Sequence, residues 1–393
     1  EIRHMKRILI VHSNMEIGGA ETSLLGLLNE IDYTKYQVDL FLIKHSGELM
    51  EFIPEEVNIL QEDEDYKQLM IPLKDVLKNK KIGIFFARMF GKIKAKKYND
   101  GYMIKEYGYL NVMPFLKKIE KKYDIALSFI DPHWIIQKKC DAKIRIGWLH
   151  TDFNKIRVDK NLDYKMWDGC DYIAQVSEAC KKEFDKNYPA LKDKSIVIEN
   201  LLPADYLRKR ADESITDMEN NECIKLLSIG RFSEQKNFDN VPEICKFIKE
   251  ANIEIRWYLI GYGGEENLIR NKIKEYGVED NVKILGKKIN PYPYIKQCDI
   301  YVQPSRYEGK AVTVREAQIL CKPIIITDFT TAASQLEDGV DGIIVPMNNK
   351  ECAQGIINLI KNFDLQKKLQ INCKKRDYSN KEEVKKIYQL MGD

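Results

Sequence analysis

Two tandem α/β domains, each a parallel sheet with helices on both faces, are what this sequence predicts. Three observations carry that expectation. The chain has 393 residues, which at roughly 150 per domain is room for two or three cores. Short β-branched apolar runs alternate with longer helical patterns along most of it. The alternation pauses at a polar stretch, 212–222, that holds seven acidic or amide residues, and then begins again.

The first series of strands runs Lys6 to His12, Gln37 to Ile43, Val57 to Gln61, Ile125 to Ile130, Ile144 to His150, Tyr172 to Val176 and Ser195 to Ile198. The second runs Lys225 to Ile229, Ile255 to Ile260, Val282 to Leu285, Ile300 to Gln303, Pro323 to Thr327 and Gly342 to Val345. Helical patterns between successive strands are the crossovers that parallel pairing requires. The simplest account is two Rossmann-like domains with a boundary near residue 203, the first spanning 1–203 and the second 204–378. Residues Lys381 to Leu390 form one further amphipathic helix after Tyr378, Ser379 and Asn380, with no strand behind it, so the segment 379–393 needs a surface to dock on. Ligands of such sheets sit outside the carboxyl ends of the strands, and a central cleft between the domains is the expected site.

Composition narrows the function classes. With 44% hydrophobic and 31% charged residues, the chain is an ordinary globular protein, and no apolar run approaches the ~18 residues of a membrane span. A net charge of +3 is too small for a dedicated nucleic-acid binder, and no nucleic-acid module is recognisable. The nine cysteines are too scattered for a Cys-x-x-Cys metal or redox site and read as reduced structural thiols. The start lacks a secretory pattern, so a cytoplasmic address is expected, with Glu1 to His4 read as an appended stretch ahead of Met5.

The most informative stretch is Pro304 to Glu316, which leaves a strand, passes Gly309 and opens a helix. Free backbone N–H groups at such a junction suit phosphate oxygens, and those of Lys310, Ala311 and Val312 would point at the ligand. Gly309 lets the backbone come close. Glu308 in the turn and Glu316 about two helical turns on should accept hydrogen bonds from hydroxyls, as on sugars and ribose, because a carboxylate repels a phosphate. An acidic turn followed by a surface Glu has the same spacing. Arg231 and Lys236, in the loop after the first strand of the second domain, suit a diphosphate as a bidentate fork and a point charge, or are two solvated cations. In the first domain Gly18 and Gly19 precede a helix starting near Ala20, resembling a phosphate loop but without full Gly-x-Gly-x-x-Gly spacing, so on that evidence an ordinary turn is the better account. His150 ends a strand at the ligand-facing edge, where it can donate to a sugar hydroxyl or cap local backbone.

Charge is segregated. Residues 74–122 hold fourteen Lys or Arg against four acidic residues, a net of +10, which leaves the rest of the chain acidic. Within it, apolar residues including Phe85 fall at helical spacing among Arg88, Lys92, Lys94, Lys96 and Lys97. A basic amphipathic helix of this kind marks either a surface drawn to anionic lipid on the inner face of the membrane or a helix packed on the sheet with a solvated basic side. Asp63, Glu64 and Asp65 match an Asp-x-Asp metal pattern but lie in an acidic loop and read as solvated charge, so no metal site is expected. No Ser/His/Asp elbow or Cys/His dyad appears.

Taken together, Gly18-Gly19-Ala20-Glu21, His150, Val176-Ser177, Gly230-Arg231 with Lys236-Asn237, Asn281-Val282 leading to Leu285-Gly286, Pro304-Ser305 and the Glu308/Glu316 pair resemble the retaining GT-B glycosyltransferases of family four, the group-one class of bacterial polysaccharide biosynthesis. The resemblance spans nearly the whole chain. It implies a GT-B fold with an N-terminal acceptor domain, a C-terminal nucleotide-sugar domain and a last helix crossing back to the first. It implies that Arg231 and Lys236 clamp the donor diphosphate, Glu316 holds the ribose, Glu308 contacts the transferred sugar, Gly19 approaches phosphate or sugar, and His150 lines the reaction centre. It also implies transfer with retention and no metal or other cofactor, from a nucleotide-sugar, more readily UDP- than GDP-linked, to a glycan or lipid-linked saccharide. Lys310 and Ala311 stand where an aromatic and a Gly are usual, Cys321 where Gly is common, and Leu201 where Gly usually follows the Asn. A sugar-nucleotide epimerase, a phosphorylase or a non-catalytic nucleotide-sugar binder would share the two-domain pattern.

Overall fold

The computed structural model describes residues 5–98, 100–130, 132–150, 157–218 and 223–392. The Glu1 to His4 stretch, Thr151 and Asp152 beyond His150, and the end of the polar stretch at 219–222 lie outside them. The chain divides into two compact units, Glu1–Leu201 with Lys381–Asp393, and Leu202–Asn380.

The first unit is built on β1 (Lys6–His12), β2 (Tyr36–Leu42), β3 (Asn58–Ile59), β4 (Lys122–Ser128), β5 (Asp141–Leu149), β6 (Tyr172–Gln175) and β7 (Ser195–Val197). They form one sheet in the order β3-β2-β1-β4-β5-β6-β7, parallel throughout. β1 shows why the run is apolar without alternation: Ile8 and Ile10 join the core on one face, Leu9 and Val11 the core on the other, all buried. Each such side chain contributes about 1.5–3 kcal/mol on burial. The strand order reverses direction at β1, between β2 and β4, which makes the carboxyl ends of β1 and β4 the switch point where ligands of such sheets bind.

The second unit repeats the plan with β8 (Ile224–Ile229), β9 (Ile255–Ile260), β10 (Val282–Gly286), β11 (Ile300–Gln303), β12 (Ile324–Thr327) and β13 (Ile343–Val345). The order is β10-β9-β8-β11-β12-β13, again parallel. Its switch point lies between β8 and β11, paired in register Ile300 to Leu226. The loops after β8 and β11 therefore flank one position, and they are the two segments whose residue types suggest phosphate and hydroxyl binding.

The chain returns to the first unit at its end. Asn380 takes the left-handed φ of +56°, six residues after the end of the helix Phe363–Lys374, and the helix Val384–Leu390 follows. Val384 and Ile387 are buried in the first unit's core. The Tyr388 ring stacks on Tyr36 at 4.3 Å, and its hydroxyl accepts from the Asp32 N–H at 2.9 Å. The docking surface that an amphipathic helix without a following strand requires is thus the face of the first unit formed around β1, β2 and β7, where Lys386 also donates to the Val197 carbonyl at 2.9 Å.

The basic segment corrects one expectation. Phe85 and Arg88, placed by the sequence with the lysines on a lipid-facing surface, face inward. Phe85 packs against the first unit's core, and the Arg88 guanidinium donates to the carbonyls of Ile71 at 2.6 Å and of Gln68. Lys92, Lys94, Lys96 and Lys97 are exposed as expected. The physical reason is that the helix Ile82–Ala95 is apolar on several sides, so its periodicity gives the helix without fixing which side is inward. Of the acidic triplet, Asp63 caps a short helix by accepting from the N–H groups of Asp65 and Tyr66, and Asp65 pairs with Lys81 at 2.5 Å.

Candidate functional site

The loops after β8 and β11 are stitched together. The Arg306 N–H donates to the Gln235 carbonyl at 2.8 Å. Asn237, at φ +60°, donates its side-chain N–H to the Pro304 carbonyl at 2.8 Å, an asparagine in the left-handed conformation it tolerates better than most residues. Gly261, after β9, takes φ +150°, and a Cβ there would run into the Gly230 carbonyl. Only glycine lets that turn press against the β8 loop.

This frame places Lys236 against Glu308, Nζ to Oε1 at 2.5 Å, with little of either side chain exposed. Ser305 donates to the same carboxyl oxygen at 2.6 Å, and the Gln235 amide donates to the other at 3.2 Å. The Lys236 methylenes lie 3.2 Å from where a Gly230 Cβ would stand, so the missing side chain is what lets the lysine stem cross the strand end. Thr331 donates to the Glu308 carbonyl at 2.8 Å. A carboxylate so surrounded by donors is fixed in place, and it holds the lysine head group at the switch point. Arg231 is exposed in the same loop and has no ion pair among the described residues.

Beyond Gly309 the helix Val312–Ile319 begins. Of the three amides assigned to a ligand by sequence, that of Ala311 is already bonded, donating to the Gln335 side-chain oxygen at 2.7 Å. This is a correction with a plain cause: Gln335 lies 24 residues away, on the segment after β12, where no local pattern reveals it. The Lys310 side chain is buried and donates to the Ser334 carbonyl. Glu316 sits inside the unit, 3% exposed, with the Tyr292 hydroxyl at 3.5 Å. Burial raises its carboxyl to about 7, against the small opposing effect of that hydroxyl.

In the first unit the switch point carries different chemistry. The helix Gly19–Glu30 starts after Gly18, and the Glu21 carboxylate folds back over Gly18 so closely that a Cβ there would collide with it. The buried His12 lies 3.3 Å from that carboxylate. Phe129, past the end of β4, meets the His150 ring at 4.7 Å and the edge of His12 at 6.0 Å. The Nε2 of His150 is buried without a hydrogen-bond partner among the described residues. Burial, then the neighbouring His12, push this imidazole down to about 3, so it is neutral near pH 7. Ser23 donates to Asn200 at 3.0 Å beneath the same edge.

The structure thus brings Lys236 and Glu308 into contact, and sets Gly18 and His150 on the edge of the first sheet. Sequence reasoning missed Gln235, Thr331 and Gln335, and named Ser305 without its contact to Glu308; these residues hold Glu308 and the helix start. The Gly-Tyr-Gly-Gly run at 261–264 after β9 was the available signal for the tight turn. Among the described residues no group of three His, Cys, Asp or Glu stands close enough to hold a metal.

Residues 212–376 match the profile of the family described as Glycosyl transferases group 1. An uncharacterized glycosyltransferase of Methanocaldococcus jannaschii is 27% identical over 169 residues, 42% of each chain. An N-acetylgalactosaminyltransferase of Campylobacter jejuni, named for an acceptor on diphospho-undecaprenol, is 22% identical over 233 residues, 59% of this chain and 62% of that one. In both cases the match spans less than two thirds of the relative's length. The crystal structure of Anabaena HepE in complex with UDP and glucose superposes with a TM-score of 0.69 at 15% identity, over 99% of this chain and 100% of that one. The chain has the GT-B fold of the solved structures it superposes on, and the segment that matches the group 1 glycosyltransferase profile lies within its second unit.

Proposed function

We propose that the protein transfers a hexose or N-acetylhexosamine from a nucleotide-sugar, a UDP-sugar in preference to a GDP-sugar, to a glycan or lipid-linked saccharide in cell-surface polysaccharide synthesis. Transfer proceeds with retention, without a metal or cofactor, on the cytoplasmic side. The observation that carries this reading is the Lys236–Glu308 pair at the switch point of the second sheet. An ammonium is fixed there by a carboxylate, beside the exposed Arg231 and the start of a helix. That set can neutralise a departing diphosphate while the carboxylate accepts from sugar hydroxyls. Glu316 accepts from the ribose hydroxyls and is ionised by them, since donors to a carboxylate favour its charged form.

In the first unit, the carboxylate over Gly18 suits hydroxyls better than phosphate, so Gly19 approaches the sugar. Neutral His150 donates to a hydroxyl there and carries no charge. The acceptor oxygen attacks the anomeric carbon on the face the diphosphate leaves. The bond to the phosphate oxygen breaks as the new glycosidic bond forms, and the acceptor's proton passes to the leaving oxygen. Support for the donor and acceptor classes comes from the UDP and glucose bound to HepE and the lipid-linked acceptor in the name of the Campylobacter relative.

Melting the protein against UDP, GDP and their sugars tests the reading, because a ligand that binds only the folded state raises the transition. A rise with UDP and a UDP-sugar that exceeds the rise with GDP is expected. No shift with any nucleotide would overturn it.

A further inference from the structure

One helix of the first unit presents a large apolar face to solvent. On its inner side the helix Ile82–Ala95 is fully accounted for: Ile84 and Ala95 are buried, Arg88 is bonded to carbonyls, and Gly91 comes so close to the helix Gly101–Val112 that a Cβ would stand 2.7 Å from the Gly108 nitrogen. The opposite side should be polar. Instead Ile82, Phe86, Phe90 and Ile93 are 57%, 53%, 59% and 62% exposed. Their spacing of four, four and three residues puts them within about 80° of arc at ~100° per residue, one continuous row along the helix. Phe115, 48% exposed, lies against Gly83 and widens the row at its start.

The charges around this row have one sign. Lys92, Lys94, Lys96 and Lys97 are exposed on its flanks and just past its end, and Lys94 reaches over the Phe90 ring at 5.7 Å. Lys92, Lys94 and Lys96 meet no carboxylate among the described residues. The acidic residues of the segment are mostly engaged elsewhere. Glu106 is buried, Asp75 pairs with Lys78, and Asp100 accepts from the Tyr102 N–H. A second copy of this chain is disfavoured as the occupant, because it would set a segment of net +10 against itself.

We infer that the Ile82, Phe86, Phe90 and Ile93 face is a docking surface for an anionic phospholipid bilayer, with the apolar row lying at the acyl boundary and the lysines among the headgroups. The surface stands independently of the glycosyl-transfer reading. It refines the sequence expectation: of the residues that fall at helical spacing there, Phe85 and Arg88 are structural, while Ile82, Phe86, Phe90 and Ile93 form the exposed row.

Flotation of the full chain with vesicles of phosphatidylcholine, with and without phosphatidylglycerol, tests it. Binding to the anionic vesicles at low salt, weakened by high salt and absent with pure phosphatidylcholine, is expected. Phe86→Ser combined with Phe90→Ser, and separately Lys92, Lys94, Lys96 and Lys97→Glu, should each reduce the bound fraction at least tenfold with an unchanged melting transition and unchanged UDP binding. All of these side chains are exposed, so the fold does not depend on them. Failure of the unmodified chain to float with anionic vesicles would overturn the proposal. So would wild-type flotation of the Phe86/Phe90 variant, or a dimer in sedimentation velocity that this variant dissolves.

Discussion

The two switch points of this molecule have the same architecture and opposite electrostatics. In the second unit a lysine is held by a carboxylate, a serine and an amide, with a free arginine nearby. In the first, a carboxylate lies over the helix-opening glycine and two imidazoles pack around one phenylalanine, with no lysine or arginine in the set among the described residues. The shared strand order around the switch point therefore supplies the place, while the side chains at the strand ends set the chemistry offered there. Under the proposed function, that asymmetry goes with diphosphate binding at the second unit's switch point and hydroxyl binding at the first unit's.

Substitutions at the two points should separate accordingly. Lys236→Ala is expected to have the largest effect, a loss of roughly 100- to 1000-fold in donor kcat/KM, the range seen when one preorganised group facing developing negative charge is removed. Near-normal donor turnover would break the comparison. Glu316 comes next, through pH. Its carboxyl rises from the usual 4.5 to about 7 in the folded chain, so between those values the folded state binds more protons than the unfolded one. Stability should fall as pH rises through that window, by on the order of 3 kcal/mol, and level off above it. Chemical denaturation of Glu316→Gln against wild type should show the variant relatively more stable at pH 8 than at pH 4, and donor binding by wild type should tighten as pH rises through about 7. Gly261→Ala should destabilise by about 2 kcal/mol, from left-handed strain and the clash with the Gly230 carbonyl, read as a lowered denaturation midpoint. His150→Ala should have the smallest effect, about tenfold in kcat/KM, as for one neutral hydrogen bond. It should leave UDP affinity unchanged, and a matching loss of UDP affinity would contradict the division of labour.

How much of this the sequence displays depends on the range of the interaction. The buried strands are visible as apolar runs, because a parallel strand covered on both faces needs no alternation, as Ile8 to Val11 show, whereas β3, Asn58–Ile59, is exposed and lies inside a longer predicted run. The Lys236 and Glu308 positions are legible for a topological reason: the loops after two strands adjacent in the sheet, β8 and β11, must flank one point. Their direct contact is not legible, nor is Gln335 filling the Ala311 amide, since both join segments distant along the chain. The phase of the helix Ile82–Ala95 is also hidden, because residues of like hydrophobicity occupy its inner and outer sides and only packing against the helix Gly101–Val112 selects between them. Arg88 illustrates the consequence, a cation by type that spends its donors on buried carbonyls.

Hydrogen exchange of the full chain with and without UDP tests the central claim most directly. Slowed exchange at 230–237 and 304–316 on adding the nucleotide is the result this account predicts. Protection confined to the glycine-led helix start at 18–22 and the strand end at His150, with the second unit unchanged, would contradict it.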